Sequence, residues 1–308
     1  MPGAFAHITA VNEAIGNTNS LDSIAMPNQA KLALTRFFQY AELGCVSPDY
    51  PYLVIGDSQQ NYWADLMHKV GSGDIVKLMA TYCKQLSGNH QMKFFAWLSG
   101  YLSHVIADVT IHPVVKLKVG EYESNKADHR TCEMNQDAYI WQRLNIGTIG
   151  YSDRVRLNIG RCVDENGKFD PEISELWVSC LRDRHREYAE EVNPNIGDWH
   201  NGFQKVVDNA EEGYRRLFKW ARHVSASLGL GVMYPNINEL RMEYIENLET
   251  PRGKMHYDEI FDFAVDNIKK YISDLAAYVF TNEGALESIK NWDLDDGEDE
   301  HGKQTVWL

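Results

Sequence analysis

The chain has 308 residues, 44% of them hydrophobic, which is enough for one large domain or two small ones around a substantial buried core. A formal charge of −14 argues against the broad basic surface that would hold duplex nucleic acid or anionic lipid by charge alone. Five cysteines without a CxxC pair argue against a disulfide framework and read as reduced thiols.

The first residues, MPGAFAHITAVNEA, lack a basic stretch followed by an apolar one, so no signal peptide is expected. No run of roughly 18 apolar residues occurs, so no transmembrane segment is expected either. A soluble, cytoplasmic protein follows as the expectation.

Helical periodicity dominates from the start. Residues 4–17 form a first expected helix, with Phe5, Ile8, Val11 and Ile15 on one side. Residues 28–44 form a second, with Gly44 placed as a C-terminal cap. Pro48, Pro51 and Gly56 punctuate the loop that follows. Helix is expected again over 61–70 and 74–86. The strongest signal lies at 90–111, where Phe94, Leu98, Tyr101, Leu102, Val105 and Ile106 recur at three- and four-residue steps. That segment is apolar on most sides and reads as a central buried helix, which Pro113 should end or bend. Residues 127–144 read as a further helix. From 145 to 200 the pattern is mixed: GRCVDENGKFDPE carries turn chemistry and RDRHREYAEEV reads as a polar helix. Long helices are expected at 203–228 and 256–281. The tail, WDLDDGEDEHGKQTVWL, reads as acidic and loosely held. The expected fold is a single all-α domain: a metal-binding core over 1–145, a helical completion over 146–290 and an acidic tail over 291–308.

The chemistry concentrates in a few spacings. His104, Asp108 and His112 stand four residues apart, which on a helix places neighbours about 5–6 Å apart on one face. Burying a carboxylate between two imidazoles is costly, and metal coordination offsets that cost. Satisfied core histidines with a local aspartate are the plainer alternative. His129 and Glu133 repeat the spacing, and Asp137 follows one turn later. Read alone, they are a solvated helix pair with an outer partner or a surface charge. His7, on the first helix, reads alone as structural. His68 ends an apolar stretch, and Asp49 sits in a proline-bracketed turn. Tyr50, Tyr52, Tyr62 and Trp63 read mainly as packing, with a cleft lining as the second option.

Together these residues carry more weight. The phrases AHITA, SPDYPYL, YWADLMH, FFAWLSGYLSHVIADVTIHP and HRTCEMNQD, spanning about the first 140 residues, resemble the zinc-dependent phospholipase C family. The likeness is to the branch related to the N-terminal domain of glycosylphosphatidylinositol-specific phospholipase D. The resemblance implies an all-α bundle with a cluster of zinc ions (Zn2+) in a cleft. Carried over by position, it implies one zinc held by Asp49, His68, His104 and Asp108. A second would be held by His112, His129 and Glu133, and a third by His7 with Asp108 bridging. In secreted members a mature N-terminal amine and a Trp carbonyl complete that third site, and this chain has no Trp there, so two or three ions are expected. The donor set, imidazole and carboxylate without thiolate, suits catalytic zinc.

Two divalent ions about 3.5–4 Å apart can bridge a hydroxide and bring its pKa towards neutrality. The expected activity is therefore phosphodiester hydrolysis on a phospholipid or soluble phosphodiester, with Asp49 implied as the base. Two alternatives stay open. One is a single-strand nuclease or nucleotidase on the same fold. The other is a non-enzymatic helical interaction protein that keeps a structural metal.

Overall fold

The computed structural model describes residues 3–145, 157–211, 234–281 and 283–308. It is all-α, and among the described residues the only sheet is a two-stranded hairpin, β1 (Leu248–Thr250) with β2 (Gly253–Met255). The sequence pattern did not reveal that hairpin.

The first half of the chain runs through α1 (Ala4–Ile15), α2 (Thr18–Ser23), α3 (Asn28–Arg36) and α4 (Phe38–Gly44). The single helix expected over 28–44 is two, because Phe37 leaves helical geometry at φ −119°, ψ 29°. A 3₁₀ segment, Ser47–Leu53, carries Asp49, and Pro48 opens it where its missing N–H costs nothing. Next come α5 (Ser58–Lys69), α6 (Ser72–Gln85), α7 (Gly88–Val119) and α8 (Lys126–Ile140). Asp57 caps α5 by accepting from the Gln60 N–H at 3.0 Å.

The second half contributes α9 (Pro171–Arg184), α10 (Arg186–Glu191), α11 (Ile196–Glu211) and α12 (Tyr257–Thr281). Asp170 caps α9, accepting from the N–H groups of Glu172 and Ile173, with Pro171 at the first helical position. The helix expected over 203–228 lies outside the described residues from 212 onward.

The axis of the molecule is α7, 32 residues long, packed against α1, α3, α4, α6, α8 and α12. It is long and apolar enough to cross a bilayer, yet its apolar window is buried entirely inside the protein. Pro113 does not end it. Ile111, Val114 and Val115 are buried on the surrounding turns, so tertiary packing outweighs the one backbone bond that proline removes.

Gly44 is not a cap. At the crossing of α4 and α7 a Cβ on Gly44 would lie 2.0 Å from the Trp97 carbonyl oxygen. A Cβ on Gly100 would lie 2.0 Å from that of Ala41. The two glycines let the backbones touch, which fixes where α4 delivers the chain into the Asp49 segment. Trp97 of α7 packs at 5.2 Å on Trp177 of α9, and Trp177 at 5.3 Å on Trp199 of α11, so the later helices share the core.

The tail is not loose. Trp292, Leu294, Val306 and Trp307 are all buried. Its acidic residues mask apolar anchors spaced too irregularly to read as an element.

Candidate metal centre

Four elements bring their chemistry to one buried point. His104, Asp108 and His112 come from successive turns of α7, His7 from α1, His68 from the last turn of α5, and Asp49 from the 3₁₀ segment. His7, His68, His104, Asp108 and His112 are at most 2% exposed.

Asp108 lies at the middle. Its Oδ1 is 3.3 Å from His7 Nε2 and 4.0 Å from His112 Nε2. Its Oδ2 is 3.1 Å from His104 Nε2 and 3.9 Å from His68 Nε2. Asp49 Oδ1 is 3.2 Å from His68 Nε2 and 3.9 Å from His104 Nε2. The His7 and His104 rings stack at 4.0 Å. Ligand atoms of His7, His104 and Asp108 lie within 4.8 Å of one another, as do those of Asp49, His68 and His104.

The rings are aimed from behind. His104 Nδ1 donates to the Cys45 carbonyl at 2.9 Å, and His68 Nδ1 donates to that of Ala64 at 2.7 Å. His112 Nδ1 donates to the Leu294 carbonyl. A carbonyl oxygen can only accept, so each Nδ1 carries the proton and each Nε2 is turned inward.

The electrostatics are those of a charge cluster removed from water. Burial alone would raise the Asp108 carboxyl, but His104, His112 and His7 hold it well below the usual range. Asp49 is held down in the same way, against its own burial, by His104 and His68. Burial disfavours a charged His68, yet Asp49 and Asp108 push it up to about 9. Burial and the neighbouring His104 push His7 down, and burial does the same to His112.

Even so, the cluster is not satisfied internally. His7 Nδ1 and Nε2, Asp49 Oδ1, both Asp108 oxygens and His112 Nε2 are buried without a hydrogen bond of good geometry. Each such atom costs about 1–3 kcal/mol if nothing pairs it. Convergent imidazole lone pairs and carboxylate oxygens, left short of donors, form the donor set of a divalent cation.

A profile described as zinc dependent phospholipase C matches residues 6–195, more than half of the chain. The chain belongs to the zinc-dependent phospholipase C family. No curated protein and no solved structure matches it.

The residues present fit the zinc of this family. The cluster offers nitrogen and oxygen, and the five cysteines are free and buried. The matched span contains all eight residues singled out from the sequence, but the structure does not gather all eight. His112, His129 and Glu133 belong to neither group of converging ligand atoms, although His112 Nε2 approaches Asp108 Oδ1 at 4.0 Å. His129, on α8, donates from Nε2 to the Gly120 carbonyl at 2.6 Å, which leaves Nδ1 as its free nitrogen. Glu133 is buried, with an oxygen 3.9 Å from Arg130 Nη1.

Sequence reasoning missed the main-chain partners, the carbonyls of Cys45, Ala64, Gly120 and Leu294, because a carbonyl has no residue-type signature. Asp137 is fully buried and not a surface charge. It accepts from the Ala6 N–H at 3.1 Å and from the Tyr234 hydroxyl at 2.9 Å, pinning the start of the helix that carries His7. Burial pushes its pKa up to about 7. Of the aromatics, Tyr50 and Trp63 are core, Tyr62 is exposed, and Tyr52 donates to Asp65 at 2.7 Å with its ring 6.0 Å from that of His68.

Proposed function

We propose that this protein is a zinc-dependent phosphodiester hydrolase of the phospholipase C type. The observation that carries the reading is the convergence of His7, Asp49, His68, His104 and Asp108, with His112 Nε2 4.0 Å from Asp108 and with buried nitrogens and oxygens that lack hydrogen bonds. Those six would hold the metal. His129 and Glu133 join them on the strength of the family resemblance.

Bound zinc would supply Lewis-acid stabilisation of charge on a phosphoryl group and an acidified water. The chain's own residues do the rest. Asp108 holds a negative charge among the surrounding imidazoles, so their Nε2 atoms stay aimed at one point. The carbonyls behind His68, His104 and His112 fix the ring orientations before any ligand arrives, which removes reorganisation from the reaction. Asp49 differs from Asp108 in being open to solvent, with its side chain 19% exposed against 0%. It is thus the carboxylate placed to take a proton from an entering water.

The test is hydrolysis of bis-p-nitrophenyl phosphate by purified protein. Activity is expected to vanish on chelation and to return with zinc. Asp49→Asn is expected to lower kcat by about 10²–10⁴-fold. Activity that persists after complete metal removal would refute the reading.

A further inference from the structure

The matched span ends at residue 195, yet one ligand ring takes its orientation from residue 294. Residues 290–308 form a strap over the end of α5, the start of α6 and the middle of α7. The Ser72 hydroxyl donates to the Trp292 carbonyl at 2.7 Å. The Asp74 N–H donates to the Asn291 side chain at 2.8 Å. The Trp307 indole N–H donates to the Thr110 carbonyl at 3.1 Å.

Leu294 is the centre of the strap. Its N–H donates at 3.0 Å to the backbone carbonyl of His68, one of the last carbonyls of α5, which have no helical donor. Its own carbonyl accepts from His112 Nδ1. One residue thus joins two ligand-bearing helices through its main chain. Lys69 locks it from the next position by pairing with Asp295 at 2.7 Å.

The strap fits where Pro113 interrupts α7. Pro113 has no N–H to give the Val109 carbonyl, and Gly297 packs close against that carbonyl. A Cβ at position 297 would lie 2.7 Å from both Val109 O and Pro113 Cγ, and the backbone there has φ +73°. Only glycine seats this turn without strain.

We propose that the strap is a positioning element of the metal centre. Through the Leu294 carbonyl it holds His112 in the tautomer that presents Nε2 to Asp108, and so raises the affinity of the centre for a divalent cation. This rests on the metal reading above. His68 and His104 are aimed in the same way, but by carbonyls inside the matched span, Ala64 and Cys45. For His112 the partner comes from some 180 residues further along, a separation of 182.

The test uses the full chain labelled with ¹⁵N-histidine and freed of metal. Long-range ¹H–¹⁵N correlation, assigned by the signal lost in His112→Gln, is expected to show His112 protonated at Nδ1 and bare at Nε2. Protonation at Nε2 instead would overturn the proposal, and this measurement needs no strap variant to fold. Gly297→Val should then unseat the turn, mix the tautomers and weaken zinc binding, measured by chelator competition, by about 10–100-fold. A parent chain that binds no zinc refutes the metal reading itself. A parent that binds zinc, matched by a variant with equal affinity, refutes only the role given to the strap.

Discussion

Replacing Gly100 with alanine probes how the fold sets the site. The added methyl would stand 2.0 Å from the Ala41 carbonyl oxygen, and a real Cβ essentially never comes closer than 3.0 Å, so α4 and α7 must part by about 1 Å. The obstacle is backbone, which cannot swing aside as a side chain does. Overpacking of this kind costs about 1–3 kcal/mol. In a chain of this size that is a fall in Tm of about 2–5 °C. The consequence reaches the centre, because α4 ends at Gly44 and the next residue, Cys45, supplies the carbonyl that orients His104. Calorimetry together with zinc competition is therefore expected to show both a lower Tm and weaker zinc binding. A variant with unchanged Tm would refute the close-packing argument. One with lower Tm and full zinc affinity would refute the link from the crossing to His104.

Other consequences follow from the same contacts. His200 is buried among Tyr50, Phe169 and Phe203, both of its nitrogens lack partners, and burial pushes it down to about 4. Its unfolded value is about 6.5, so between those pH values the unfolded chain binds the extra proton. Stability is complete above pH 6.5 and declines as pH falls towards 4, by up to about 3 kcal/mol for this residue. His200→Phe is expected to flatten that part of the profile in urea titrations, and an unchanged slope would count against it. Asp137→Ala is expected to cost about 2 kcal/mol, because it orphans the Ala6 N–H and the Tyr234 hydroxyl. Asp137→Asn keeps an acceptor and should cost less than half of that; equal losses would show that the charge matters and not the hydrogen bonds.

Much of the helical frame was legible because it is local. The period of Phe94, Leu98, Tyr101 and Val105 marks α7, and the four-residue spacing of His104, Asp108 and His112 puts all three on one line of that helix. Long-range features were not legible. Phe37 leaves helical geometry inside a continuous helical pattern, with its side chain packed against the core. Pro113 reads as a stop and is carried through by the burial around it. Gly44 reads as a cap, whereas with Gly100 it forms the two sides of one crossing. In the strap, carboxylates outnumber the anchors Trp292, Leu294, Val306 and Trp307, so composition points to solvent while these four side chains are buried.

Zinc content is the most direct test of the claim that these side chains hold metal. Protein purified without chelator and analysed by inductively coupled plasma mass spectrometry is expected to carry two or three zinc ions per chain, with fewer in Asp108→Asn. A folded, wild-type chain that carries no zinc and takes up none when it is supplied would contradict the account.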